Sequence, residues 1–260
     1  KINCHVPELR VIMHPEQRDA IIALAEEQSD PPVAKAREGP MILCCGEALI
    51  DMIPHGTTAG RDGFVPFPGG AVFNTAIALG RLGAPAGLLT GLSSDLFGRQ
   101  LRDALQASHV DSGYAITSDR HTTLAFVHLQ NGHATYEFYD ENSAGRMLAP
   151  SDMPEIGPEV AALFLGGISL MSIPCADAYA SLLDKAGNDR AVMLDPNIRP
   201  GFITDPQAYR ARLTAMLART DIVKVSDEDL DWLLPDAGDL PRQIGGVQEP
   251  APVDGGRLLQ

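Results

Sequence analysis

F-P-G-G-A-V-F-N-T-A-I-A-L-G-R-L-G, residues 67–83, is the stretch that decides the fold of this chain. Its Pro-Gly-Gly turn leads directly into an apolar run of helical period, which predicts a helix with one buried side. Gly69 and Gly70 can adopt positive φ and let another group approach the backbone closely. Asn74 falls in the first helical turn, where its amide and free backbone N–H groups can point at a polar ligand. A plain loop followed by a capping residue is the alternative, and this stretch alone leaves both open.

Four further motifs accompany this stretch, each at the end of an apolar run. They are G-E-A-L-I-D (46–51), G-L-S-S-D-L-F-G (91–98), D-P-N-I-R (195–199) and K-V-S-D-E-D (224–229). Together with G-G-A-V-F-N they resemble the ribokinase-type (PfkB) carbohydrate kinases, most closely the fructokinase-like branch. The resemblance covers roughly residues 41–234. It implies a ribokinase-like α/β fold whose mostly parallel sheet is covered by helices on both faces.

The alternation of strand-like and helix-like segments with short connections predicts the same sheet without the resemblance. Between these units, two runs of period two flank Asn131-Gly132 and predict a β-hairpin. The resemblance implies that this hairpin is a small lid, which folds over the sugar and excludes water. Phe126, Tyr136 and Phe138 are candidate apolar lid residues, or they serve only to pack the sheet.

Composition restricts the class of protein. The 260 residues include 20 basic and 34 acidic side chains, and the net charge is −14. Such a surface repels phosphate backbones and anionic membranes, so neither nucleic acid nor a membrane is expected as a partner. The adjacent Cys44 and Cys45 lie in a strand-like apolar run and read as buried thiols, so we expect a reducing, cytoplasmic setting.

Three segments differ in character. Residues 1–40 read as an N-terminal extension outside the kinase fold, and residues 41–235 as the PfkB-type kinase domain, incomplete at its C-terminus. Residues 236–260 hold much Gly, Pro and Asp and read as an irregular tail. Since the chain opens with Lys1 and its apolar periodicity stops after Leu234, a truncated or frame-shifted kinase is the expectation.

Sugar binding is the role predicted for residues at the ends of strands and turns. Asp51 follows the first strand, where an open α/β sheet collects its ligands, and its carboxylate can accept hydrogen bonds from sugar hydroxyls. Asp195 and Asn197, set by a Pro at a strand end, suggest a further part of the site, with a simple turn as the alternative. The complete predicted set is Asp51, Gly69, Gly70, Asn74, Asp195, Asn197 and Arg199.

The nucleotide side is predicted near the end of the kinase-like region. Lys224 and Ser226 are assigned to the cofactor, ATP, and Asp229 to the metal, Mg²⁺. The resembling family commonly carries an Asn followed three residues later by a Glu at this place, and both help to bind the Mg²⁺–phosphate group. Ser226 and Asp229 keep an oxygen ligand with a shorter reach, which a cation held partly through water tolerates.

The catalytic residue is unknown. The family places its general base in a G-A-G-D run at a helix N-terminus, whose backbone amides form an anion hole. This sequence contains no G-A-G-D. The V-D-G-G run at 253–256 resembles it weakly, but the sequence predicts no helix after it. We therefore expect weak or no turnover by this chain alone.

Three functions are compatible with the pattern. The first is an ATP-dependent kinase acting on fructose or a related sugar such as 2-keto-3-deoxygluconate. The second is a non-catalytic sugar-binding or regulatory protein on the same fold. A dinucleotide-binding oxidoreductase is disfavoured, because no G-x-G-x-x-G follows the first strand. Lids of the resembling family often pair between subunits, which leaves a homodimer open.

Overall fold

The computed structural model describes residues 39–130, 133–187 and 189–235. The predicted domain 41–235 falls within this region apart from three residues. Of the predicted extension 1–40, only Gly39 and Pro40 are described, and the predicted tail 236–260 lies outside the described residues. The Asn131-Gly132 turn also lies outside them, so the hairpin is seen through its two strands.

Along the described residues, runs of one to five strands are separated by single α-helices. The strands are β1 (Met41–Cys45), β2 (Leu49–Gly56), β3 (Asp62–Gly69), β4 (Ala86–Leu89), β5 (Gly91–Ser93), β6 (Val110–Asp111), β7 (Ile116–Ser118), β8 (Leu124–Gln130), β9 (His133–Tyr139), β10 (Val160–Gly166), β11 (Ala191–Asp195) and β12 (Ile222–Val223). The α-helices are α1 (Ala71–Leu82), α2 (Leu96–Ala107), α3 (Cys175–Lys185), α4 (Pro206–Leu217) and α5 (Asp227–Leu233). Across residues 39–235, apart from the gaps, no helix has the length and apolar character needed to cross a bilayer.

The central sheet has six strands in the order β12-β11-β10-β1-β4-β6, and all neighbouring pairs are parallel. Alternate side chains of β1 point to opposite faces. Cys45 joins the apolar cluster that contains Tyr179 of α3 and Tyr209 of α4, whereas Cys44 joins the cluster that contains Phe73 of α1. Helices therefore cover both faces, which confirms the predicted α/β architecture.

A second sheet has the order β3-β2-β8-β9. The predicted hairpin strands pair antiparallel as β8 and β9, and β2 joins β8 in parallel. Residues 54–68 are rich in Gly, Pro and Thr, a composition that predicts a loop with a short strand. In the structure they continue β2 to Gly56 and form most of the eight-residue β3. Proline has no backbone N–H to donate. Because β3 is an edge strand and pairs with β2 alone, it tolerates Pro66 and Pro68. The hairpin is thus half of a four-stranded sheet.

Candidate active site at the carboxyl edge of the sheet

The carboxyl ends of adjacent parallel strands bring most of the predicted residues to one edge. Asp195 ends β11 and pairs in register with Gly166 at the end of β10. Lys224 follows β12, and Glu47 follows β1, which lies on the other side of β10. Ligands of open α/β sheets bind outside this edge. The edge therefore brings together Asp195, predicted for the sugar, and Lys224, predicted for the nucleotide.

The Gly69-Gly70 turn lies against the Asp51 side chain. Gly70 has φ 105° and is the N-cap residue of α1, where it has no side chain that could cap the helix. A Cβ atom built on Gly69 would lie 2.1 Å from Oδ2 of Asp51. Asn74 is exposed in the first turn of α1, and its N–H donates to the carbonyl of Gly70 at 2.8 Å. Four of the seven residues predicted for sugar binding, Asp51, Gly69, Gly70 and Asn74, are therefore neighbours.

Asp51 lies within β2 and not in the loop after β1. Burial raises the pKa of its carboxyl group to about 6. Its register partners are Phe67 on β3 and Ala125 on β8, and Ala125 in turn pairs with Phe138 on β9. Partners in register point to the same face of a sheet, so Asp51 and Phe138 share one face of the four-stranded sheet.

Phe138 connects this face to the other half of the site. Its ring meets that of Phe202 edge to face, with centroids 4.7 Å apart. Phe202 lies three residues after Arg199, in the segment that follows β11. Tyr136 stacks beside Phe138 at 5.9 Å. The face of the sheet that carries Asp51 therefore reaches the segment that carries Asn197 and Arg199.

Glu47 is a buried carboxylate that the sequence motifs contained but that was given no role. Its Oε1 accepts from the N–H of Ala71 at 2.9 Å, and its Oε2 accepts from Oγ of Ser169 at 3.4 Å. Burial raises its pKa, and hydrogen bonds from backbone N–H groups, including those of Ala71 and Val72, oppose that rise. An acidic residue placed directly after a buried strand is the sequence signal that could have found it.

Asp195 and Lys224 form an ion pair across the ends of β11 and β12. Lys224 Nζ lies 2.9 Å from Oδ2 of Asp195, whose side chain is 10% exposed. The other carboxylate oxygen, Oδ1, is buried and has no hydrogen-bond partner among the described residues. Burial raises the pKa of Asp195, while the hydrogen bond from Lys224 opposes that rise. The pair therefore brings a predicted substrate residue and a predicted cofactor residue into contact.

Asn197 and Arg199 lie in an irregular segment after β11. Asn197 has φ 43°, in the left-handed region that Asn adopts more readily than most residues. Arg199 is exposed, and its Nη1 donates to the carbonyl of Ile198 at 3.0 Å. The guanidinium thus lies at the surface of the edge, close to its own backbone.

Ser226 and Asp229 form a capping box at the start of α5. The Ser226 hydroxyl accepts from the N–H of Asp229 at 3.1 Å, and Oδ2 of Asp229 accepts from the N–H of Ser226 at 3.0 Å. Oδ1 of Asp229 accepts from the N–H of Ile198 at 2.7 Å. Both carboxylate oxygens are therefore engaged with the backbone. In the described ranges no three His, Cys, Asp or Glu side chains group to hold a metal, so these residues fit Mg²⁺ only through water.

Comparisons with known proteins identify the family of this chain. The pfkB family carbohydrate kinase profile matches residues 40–248. A fructokinase of Rhizobium leguminosarum bv. trifolii is 55% identical over 192 residues, which cover 74% of this chain and 59% of that protein. A probable fructokinase-3 of Arabidopsis thaliana is 34% identical over 205 residues, 75% of this chain and 59% of that protein. The chain thus spans about three fifths of the length of these curated relatives.

Solved structures share the fold. The crystal structure of a fructokinase from Xylella fastidiosa superposes with a TM-score of 0.72 at 29% identity, covering 80% of this chain and 66% of that one. The structure of fructokinase with bound ATP from the same organism gives 0.71 at 28% identity, covering 80% and 65%. The family profile spans most of the sequence, and the site residues lie inside the matched range. The chain therefore belongs to the pfkB family of carbohydrate kinases.

Proposed function

We propose that this chain is part of an ATP-dependent sugar kinase, which transfers the γ-phosphoryl group of ATP to a hydroxyl of fructose or a related sugar. The observation that carries the proposal is the contact between the partly buried Asp51 carboxylate and Gly69, with Asn74 exposed beside them. Support comes from the relatives, which are named fructokinases, and from the related structure that holds ATP.

Each sugar-side residue has a distinct part in this proposal. Asp51, when ionised, accepts hydrogen bonds from sugar hydroxyls, and the Asn74 amide can both donate and accept. The Gly69-Gly70 turn lets the sugar approach the backbone without a Cβ in its path. Phe138, which shares a face of the four-stranded sheet with Asp51 and packs on Phe202, would exclude water from this space.

The nucleotide side supplies charge. Lys224 and Ser226 would hold ATP phosphates, and Asp229 would reach Mg²⁺ through water, because its own oxygens accept backbone N–H groups. When bound, ATP supplies the phosphoryl group and Mg²⁺ neutralises its charge. Asp195 holds Lys224 at the strand end, so the ammonium is oriented before any phosphate arrives. The general base remains unassigned within residues 39–235.

A calorimetric titration of the full 260-residue chain with fructose tests the sugar side. We expect binding by the wild type, and at least a tenfold loss in Asp51→Ala, because a charge-assisted hydrogen bond contributes about 1.5–3 kcal/mol. Release of ADP from Mg-ATP in the presence of fructose then tests phosphoryl transfer. Failure of fructose and of other ketoses and aldoses to bind would overturn the assignment to sugars.

A non-catalytic sugar-binding protein is the second candidate. It is favoured by Asp229, because both oxygens of this buried carboxylate accept hydrogen bonds from backbone N–H groups. Fructose binding without any sugar-dependent ADP release, at saturating Mg-ATP, would support this candidate over the kinase. Release of ADP that requires both fructose and Lys224 would support the kinase.

We further propose a homodimer that forms through the four-stranded sheet in the cytoplasm. Phe64 and Tyr139 are 44% and 49% exposed, and both rings contact Phe126 on one face of this sheet. Exposed aromatic clusters of this kind mark protein interfaces. The buried cysteines are free thiols, which suits a reducing compartment. Light scattering after gel filtration should give twice the monomer mass for the wild type and the monomer mass for Phe64→Ser.

A further inference from the structure

Glu47 occupies the position of a helix cap that the local sequence does not supply. Gly70 precedes α1 with no side chain to accept the free N–H groups of the first turn. Glu47 accepts two of them, that of Ala71 at Oε1 (2.9 Å) and that of Phe73 at its own carbonyl oxygen (3.2 Å). One residue at the end of β1 therefore holds the start of α1 from 24 positions earlier in the chain.

Two glycines in the left-handed region leave room for this carboxylate. Gly70 has φ +105°, and a Cβ on it would lie 3.1 Å from Cγ of Glu47. Gly167 has φ +70°, and a Cβ on it would lie 2.1 Å from Oε2. Because the turns after β3 and β10 both close on the same side chain, the position of Glu47 and the conformation of these turns depend on each other.

The carboxyl oxygens of Glu47 accept hydrogen bonds from N–H and O–H donors. Arg146 lines the same small cavity as Glu47, but its guanidinium pairs with Asp140 at 3.3 Å. Ser169 donates its hydroxyl to Oε2, and the N-terminus of α1 presents a partial positive charge to Oε1. Removing the acceptor would leave these donors buried and unsatisfied.

We propose that Glu47 is the positioning residue of the sugar-binding turn. It acts by fixing Gly69 against Asp51 and by setting the first turn of α1, which carries Asn74. This role rests on the proposed sugar binding, because the turn it fixes is the one assigned to the sugar. Glu47 is 7% exposed and does not itself need to contact the ligand.

Three variants of the full chain test the proposal. Glu47→Met keeps the approximate volume and removes every side-chain acceptor, whereas Glu47→Gln keeps one acceptor for Ala71. Asp205→Ala is the matched control, since Asp205 caps α4 by accepting from Gln207 and Ala208 at 3.0 Å, in another part of the fold. Two readouts are compared: hydrogen exchange of the peptide spanning 69–75, and fructose affinity by calorimetry.

We expect Glu47→Met to speed exchange of this peptide and to weaken fructose binding, each by roughly tenfold to a hundredfold. Glu47→Gln should recover most of both losses, and Asp205→Ala should change neither, although it destabilises α4. Wild-type exchange and wild-type affinity in Glu47→Met would overturn the proposal, as would an Asp205→Ala that weakens fructose as strongly. If Glu47→Met fails to fold, Glu47→Gln must still show intermediate exchange at 69–75 for the proposal to stand. If the wild type binds no sugar, the proposed function fails, but the exchange comparison still decides whether Glu47 fixes the turn.

Discussion

The sugar side and the nucleotide side of this site are built differently. On the sugar side, contacts join residues far apart in the chain, such as Glu47 with Ala71 and with Ser169, and they lie beside β1 in the middle of the sheet. On the nucleotide side, Lys224 with Asp195 and Asp229 with Ile198 also join residues far apart, but the capping box joins residues three apart, and β12 is an edge strand of two residues. The first geometry is set beside a central strand of the sheet, whereas the second lies at an edge strand and rests on one ion pair, one cap and the hydrogen bond from Ile198 to Asp229.

The largest effect is expected at that ion pair. Lys224→Met leaves the buried Asp195 carboxylate without a cation. Removing one partner of a fully buried pair costs about 3–5 kcal/mol. Because the Lys224 side chain is 38% exposed, we expect a loss of about 2–3 kcal/mol in the free energy of unfolding, measured by urea denaturation. Adding Asp195→Asn should recover more than half of it. An unchanged denaturation midpoint in Lys224→Met would show that the pair does not hold this edge.

The sugar side should respond in binding more than in stability. Gly69→Ala places a Cβ against the Asp51 carboxylate, which must move out of its place. We expect fructose affinity to fall by about thirtyfold, or roughly 2 kcal/mol, with little change in the denaturation midpoint. Gly201→Ala is the matched control, because a Cβ there meets no atom within 4 Å. Equal fructose affinities of the two variants, measured by calorimetry, would contradict the assigned contact.

The same contrast explains what the sequence could predict. The order of strands and helices, the glycine turn and Asp51 follow from local patterns, and the structure brings these elements together as expected. The full length of β3 was not predicted, because Pro66 and Pro68 indicate a loop unless the strand is known to lie at an edge. Edge position is a property of the whole sheet, so no local pattern could supply it.

Glu47 and Asp229 illustrate two further limits of prediction from local sequence patterns. The partners of Glu47 are 24 and 122 residues away, and a single acid after a strand has no periodicity to mark it. For Asp229 the opposite holds, since S-x-x-D before an apolar residue is itself a capping signature. The resemblance implies that Asp229 is a metal ligand, whereas the short-range pattern indicates the helix cap that the structure contains.

The pH dependence of fructose affinity tests the role of the Asp51 carboxyl group on the sugar side. Burial raises the pKa of Asp51 to about 6, and sugar hydroxyls need its ionised form. Fructose affinity should therefore be constant above about pH 7 and fall by up to about tenfold per pH unit below pH 6. Asp51→Asn should bind more weakly than the wild type above pH 6, with no such dependence, and the two affinities should converge at low pH, where the Asp51 carboxyl group is also neutral. A flat wild-type profile between pH 5 and pH 8, measured by calorimetry, would show that Asp51 does not contact the sugar.

The stability of the folded chain should depend on this group with the opposite sign. A carboxyl group whose folded-state pKa is raised holds its proton more tightly in the folded chain than in the unfolded one. Asp51 therefore favours folding most at low pH, and this contribution disappears as the pH rises towards 6. Low pH should thus weaken sugar binding while Asp51 itself becomes less costly to bury.

The smallest effect is expected at the capping box. Ser226→Ala removes the acceptor for the N–H of Asp229, and the loss of a helix cap costs about 1 kcal/mol. Asp229 still accepts from Ile198, so the link between α5 and the segment after β11 remains. We therefore expect faster hydrogen exchange at 226–230, unchanged exchange at 69–75 and unchanged fructose affinity. Ser226→Thr, which keeps the hydroxyl, should behave as the wild type.

A wider response to Ser226→Ala would change the comparison between the two sides. If exchange at 69–75 also rose, the edge strand and the central turn would unfold as one unit, and the cap would support both halves of the site. The contacts oppose this outcome. The N–H of Gly167 donates to the carbonyl of Asp195 at 3.2 Å, and Gly167 lies against the Glu47 carboxyl group. Within residues 39–235, the hydrogen bonds of Ser226 lead towards the turn only through Asp229 and Ile198. Loss of the Ser226 hydroxyl leaves that path intact, so its effect should end at α5.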